Sequence, residues 1–330
     1  TQWFEAARKE VGAFVGARED DYVVFTRNTT DALRLLANAL PRRTQVFTWD
    51  SAHHAAQFAW AGRSIHRLPI PASTQDALDL LTQALESSTA ESKLVMITGA
   101  CNVTGEVWPV AELASIATEF GARTVLDAAQ LAPHHPVDID ELGVDYVALS
   151  GHKTYAPYGA GALVGRGDWL DAAEPYLAGG GATARVGLDT TEWTCGPARH
   201  EAGSPNVLGA VALATACELI TEHEAAIIDH EQALRIRLLA GLQKVTTALG
   251  ASVRDTRKTL PGWRALQKYA VRAGGAPTQA VGENRRDHQS PHRDEPDRRG
   301  QHGDQDDRHH DRPRHTGAEP RDVADTGGGD

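Results

Sequence analysis

Apolar residues follow two alternating periods through the first 250 positions. Phe4, Ala7, Val11, Phe14 and Val15 recur at helical spacing, which predicts a helix over 4–15. Residues 22–26 are β-branched and aromatic and predict a strand. A helix over 32–40 follows, with Thr29 or Thr30 as its N-cap. The pattern then repeats. Strands over 45–49, 65–70, 93–98, 124–127, 145–149 and 161–164 are separated by helical stretches from His53 to about 62, over 76–85 and from Pro109 to about 120. Gly179-Gly180-Gly181 makes 177–186 mobile or tightly turned. Two long apolar helices, 207–220 and 224–249, close the series. Strands alternating with helices at this spacing predict an α/β fold, a mainly parallel sheet between helices.

In such sheets ligands bind beyond the carboxyl ends of the strands. Asn28 to Thr30, His53, Asn102, Asp127 and Ser150-Gly151-His152-Lys153 all fall at predicted strand ends, so they are the candidate site. A helix opening straight after a strand, with Thr29 and Thr30 at its start, suits an anion. A lysine at a strand mouth between a hydroxyl and an imidazole suits a carbonyl cofactor held as a Schiff base. Each feature alone has a plainer reading: a capped helix, a solvated lysine, a turn asparagine.

Composition changes the picture at the far end. The chain has 330 residues, 41% of them hydrophobic, and a formal charge of -11, which argues against non-specific nucleic-acid or anionic-membrane binding. Residues 281–330 contain no Leu, Ile, Met, Phe, Tyr or Trp, so a disordered polar tail is expected there. Its scattered histidines, among them His288 and His309, have no metal-site spacing. We expect a domain over 1–250, a remnant of a smaller domain over 251–280, and the tail, whose composition suggests a shifted reading frame. Thr1 already lies in a predicted helix, as in a fragment. No run reaches membrane-spanning length and no signal peptide is visible. Cys101, Cys195 and Cys217 give neither a disulfide framework nor a metal pattern, so a cytoplasmic setting is expected.

The strand-end residues match the needs of pyridoxal phosphate. Its phosphate needs donors at a helix start, its ring nitrogen a buried carboxylate, its ring face a flat group and its aldehyde a lysine. Six stretches in order carry a more specific likeness: Thr26 to Ala32, Ala52 to Ala55, Cys101 to Gly105, Asp127 to Gln130 with His134 to Asp138, Ser150 to Lys153, and Glu201 to Asn206. With these the chain resembles the class V aminotransferase family of fold-type I pyridoxal-phosphate enzymes, nearest the cysteine desulfurase and selenocysteine lyase branch. The resemblance implies the large domain of that fold over about 4–249, with a truncated or aberrant small domain.

It also implies roles. Lys153 would form the Schiff base and shuttle the α-proton of an amino-acid substrate. Asp127 would pair with the ring nitrogen, Gln130 would bond the phenolic oxygen, and Asn102 would lie near that oxygen and the substrate. His53 would stack on the ring. Thr30, Ser150 and His152 would hold the phosphate, with Thr29 helping through its backbone. Ser204 stands where the family has Thr and would reach the neighbouring subunit's phosphate, which implies a homodimer. His54, His134 and His135 are expected to play supporting parts.

The departures are equally legible. Asn28 replaces a usual Gly, on the expectation of a left-handed backbone. Ala128 replaces a Gly, and Cys101 stands where Ser is frequent. After Leu249 there is neither an Arg-x-Gly-x-His-Cys loop nor the arginine that clamps a substrate carboxylate, and Cys195 and Cys217 match no catalytic position. The functional expectation is therefore a desulfurase-like or aminotransferase-like enzyme, with a catalytically inactive relative that keeps the fold as the alternative. A nicotinamide-binding domain is disfavoured, since no G-x-G-x-x-G follows the first strand.

Overall fold

The computed structural model describes residues 2–248, with side chains through 244. The expected small-domain remnant and polar tail lie outside the described residues. In chain order the elements are α1 (Gln2–Phe14), β1 (Asp21–Thr26), α2 (Thr29–Ala39), β2 (Gln45–Trp49), α3 (His54–Phe58), β3 (Ser64–Leu68), α4 (Thr74–Glu86), β4 (Lys93–Thr98), α5 (Val110–Glu119) and β5 (Arg123–Asp127). Then come α6 (Ile139–Leu142), β6 (Tyr146–Ser150), β7 (Gly161–Arg166), α7 (Asp168–Ala172), the β8 (Thr183–Val186) and β9 (Thr191–Trp193) hairpin, and α8 (Val207–Ala248).

Seven strands form one sheet in the order β1-β7-β6-β5-β4-β2-β3. β7 is antiparallel to both its neighbours, and the pairs among the other central strands are parallel. Successive residues of a strand point to opposite faces, and both faces here are apolar. Phe47, Val95, Ile97, Leu126 and Val147 enter one buried cluster with α1, α4, α5 and the start of α8. Val46, Leu94, Met96, Val125 and Tyr146 enter the other with α2 and α3. Helices on both faces are what a parallel sheet requires.

Several boundaries differ from expectation, each for a local reason. Helix α2 is capped by Asn28, not by Thr29 or Thr30: its Oδ1 accepts the Asp31 N–H at 3.1 Å. Asn28 has φ −178°, extended and not left-handed. Helix α3 stops at Phe58, four residues short of Gly62, whose φ is +86°. Pro109 precedes the first turn of α5 instead of opening it. The two expected terminal helices are one, because the polar Thr221-Glu222-His223 between them holds no Gly or Pro to break the backbone. The Gly179 to Gly181 turn leads into the β8–β9 hairpin.

Candidate active site

The carboxyl ends of β1, β2, β4, β5 and β6 converge on a cavity of about 320 Å³. Gly161 permits the approach of β1. A Cβ there would lie 2.8 Å from the Asn28 Cα and 2.6 Å from the Leu149 carbonyl oxygen, so a larger residue would push the Asn28 loop away from β6. The start of α2 supplies Thr29 and Thr30, and the end of β6 supplies Ser150, His152 and Lys153. The Thr29 N–H faces Ser150 Oγ at 3.4 Å, and Ser150 Oγ lies 3.3 Å from His152 Nδ1. The exposed Tyr158 ring stacks on His152 with centroids 5.1 Å apart. Lys153 sits just beyond, on a single turn after β6.

The opposite wall comes from three other strand ends. His53 caps α3, its Nδ1 accepting the Ala55 N–H at 3.2 Å. Asn102 and Cys101 follow β4, while Asp127 ends β5 with Gln130 three residues on. Thr98 and Asp127 are partners in the parallel register.

Asp127 is the electrostatic centre. Burial pushes its carboxyl pKa up, opposed by the Ala129 N–H bond and by the charges of His53 and Lys153. The bond from Ala129 N to Oδ1 is 3.1 Å. A buried carboxylate held by one backbone donor is costly unless a cation meets it. Around it, Thr29 Oγ1, Ser51 Oγ and Thr98 Oγ1 are buried side-chain atoms with no hydrogen-bond partner. A cavity that holds unmatched hydroxyls, a buried carboxylate and a lysine suits a ligand with an anionic group, a cationic ring and an electrophilic carbon.

Nine of the ten site residues expected from sequence therefore line one cavity. The tenth, Ser204, lines a separate one of about 200 Å³ with Phe25, Arg27 and Glu201. His134 bonds Glu231 of α8 at 2.6 Å, and with His135 it borders a groove beside Gln130. Sequence reasoning missed Ser51 and Thr98. Both follow the strand-end rule, yet a lone hydroxyl in a strand or the turn after it gives no signal until its burial and lack of a partner are known.

The aminotransferase class-V family model matches residues 1–260. The chain belongs to the class V aminotransferase family. Its sheet and helices are the large domain of the fold-type I architecture. A probable cysteine desulfurase of Vibrio cholerae is 34% identical over 240 residues, 69% of this chain and 59% of that protein. One from Aeropyrum pernix is 37% identical over 254 residues, 70% of this chain and 61% of that protein. The crystal structure of the cysteine desulfurase CsdA from Escherichia coli matches with TM-score 0.65 and 32% identity, over 75% of this chain and 63% of that one. The apo cysteine desulfurase of Thermococcus onnurineus matches with TM-score 0.67 and 29% identity, over 81% and 71%. The chain thus spans about three fifths of the length of these curated relatives. A second model, the quinolinate phosphoribosyl transferase C-terminal domain, matches residues 239–285, which run beyond the described residues. Among the described residues no helix is long and apolar enough to cross a membrane.

Proposed function

We propose that this chain is a pyridoxal-phosphate-dependent enzyme that acts on an amino acid, desulfurase-like or aminotransferase-like, and works as a homodimer in a reducing cytoplasm. The observation that carries the reading is the buried Asp127 carboxylate, which shares a cavity with Lys153, His53 and unmatched hydroxyls. Bound there, the cofactor would supply an aldehyde that reacts with amines and a protonated ring that draws electrons from the substrate's α-carbon.

The chain's own residues divide the remaining work. Asp127 holds the ring nitrogen's proton, and its burial strengthens that contact. Thr29, Thr30, Ser150 and His152 hold the phosphate at the start of α2, where free N–H groups favour an anion. His53 would cover one face of the ring, Gln130 would donate to its phenolic oxygen, and Asn102 would lie near that oxygen and the substrate. Lys153 Nζ would hold the aldehyde and would move the proton at the substrate's α-carbon. Ser204 completes the phosphate site of a second copy. Exposed Tyr158 (87%) and Leu208 (86%) near the Ser204 loop support such an interface.

Incubating the cofactor-loaded chain with cysteine, and separately with alanine and a keto acid, tests the reaction. With a thiol reductant present to release the abstracted sulfur as sulfide, alanine and sulfide from cysteine support the desulfurase-like reading, and a new keto acid supports the aminotransferase-like one. Cofactor binding without turnover of any amino acid would overturn the enzymatic reading in favour of a binding-only relative.

A further inference from the structure

The loop that carries Ser204 is held at both ends. At its start Glu201 receives three donors: Arg8 Nη1 and Nη2 at 2.8 Å each, and the Phe25 N–H at 2.6 Å. The Arg8 and Glu201 side chains are only 14% and 9% exposed. Arg8 also donates to the Val23 carbonyl, and its guanidinium lies 5.0 Å from the Phe4 ring centre and 5.2 Å from that of Phe25. At the loop's end Asn206 Nδ2 donates to the Gly159 carbonyl at 3.0 Å, and its Oδ1 accepts the Gly209 N–H at 2.9 Å. Between these anchors Gly203 takes φ +90° and donates to the Gly180 carbonyl at 2.8 Å. Ser204 stands exposed at the apex.

A buried ion pair contributes little net stability over an apolar pair of the same volume, because desolvation offsets its attraction. What such a pair does supply is a fixed geometry, here a three-donor one. The need for one is plain at this loop. A short side chain on a free loop would lose much conformational entropy on meeting a ligand. Preorganising the loop removes that loss.

We propose that Arg8 and Glu201 are positioning residues that hold Ser204 ready for the phosphate-binding rim of a second copy's cavity. This rests on the reading of the cavity as a pyridoxal-phosphate site completed by a partner.

The test is equilibrium titration of the full apo chain with pyridoxal phosphate, comparing Ser204→Ala, Arg8→Met, Glu201→Gln and the double variants. The expected result is a roughly fivefold weaker affinity for Ser204→Ala, the size of one hydrogen bond. Arg8→Met weakens binding to a similar degree, and adding it to Ser204→Ala weakens binding no further, as for residues acting through one group. Arg8→Lys recovers part of the affinity. Full additivity, or wild-type affinity in folded Arg8→Met, would overturn the positioning role while leaving the shared site intact. Should Arg8→Met not fold, Glu201→Gln, which keeps the shape of the clamp, decides by the same criterion. Wild-type affinity in Ser204→Ala would overturn the shared site itself, and the positioning role with it.

Discussion

The two ends of the central sheet treat polar groups in opposite ways. At the amino end they are paired. Asp145 accepts from the Thr124 N–H at 2.8 Å, Arg123 meets Asp168 through two bonds of 2.6 Å, and Arg18 bonds both Asp21 and the Val144 carbonyl. At the carboxyl end several are not. Thr29, Thr48, Trp49, Ser51 and Thr98 each bury a polar side-chain atom without a partner, and Asp127 is held by one N–H. One end is built to close the fold and the other to receive something. Polar groups left unmatched at a single edge cost the empty protein stability, and they are the groups a ligand can satisfy.

Asp127→Asn breaks this contrast most sharply. We expect cofactor affinity to fall roughly thirtyfold, about 2 kcal/mol for a lost charged contact, while the empty chain becomes more stable by roughly 1 kcal/mol. Titration and thermal melting of the same sample check both signs; loss of both affinity and stability would make Asp127 a structural residue. The pH dependence follows from burial. The folded carboxyl holds its proton more tightly than the ordinary value of 3.8, so its cost grows as pH rises through the window above that value. The melting advantage of Asp127→Asn should therefore shrink as pH falls.

At the paired end, Arg123→Ala should lower stability by about 1 kcal/mol, discounted for the partial exposure of the pair, and leave cofactor affinity unchanged. Chemical denaturation beside a binding titration separates the two. A smaller effect is expected of Thr29→Val at the unmatched end: affinity roughly fivefold weaker, and empty-chain stability within about 0.5 kcal/mol of wild type. The smallest effect belongs to His200, a buried and paired scaffold residue. Its Nδ1 accepts the Tyr176 N–H, and burial lowers its pKa below the usual 6.5. A depressed histidine contributes stability that is full above 6.5 and is lost as pH falls through the window below it. Melting of wild type against His200→Gln across that window should show a shallower slope in the variant.

Much of this contrast was legible in the sequence, for physical reasons. The apolar run Lys93 to Thr98 reads as a buried strand and is one, and Asp127 ends a strand as expected while Lys153 lies on the turn just after one. Capping was less legible. Asn28, Thr29 and Thr30 are all good N-caps, and only the bond to the Asp31 N–H selects Asn28. The break expected near Thr221 rested on a dip in apolar pattern, which a helix without Gly or Pro ignores. The Ser51 and Thr98 hydroxyls and the Arg8–Glu201 clamp depend on contacts between distant segments, which no local pattern encodes.

The central claim is that the unmatched end of the sheet is a cofactor site anchored by Lys153. The most direct measurement is to load the chain with pyridoxal phosphate, reduce it with borohydride and map the modified peptide by mass spectrometry. The account predicts a pyridoxyl adduct on Lys153, absent from Lys153→Ala. A folded chain that carries no adduct, or one that carries it elsewhere and keeps it in Lys153→Ala, would contradict it.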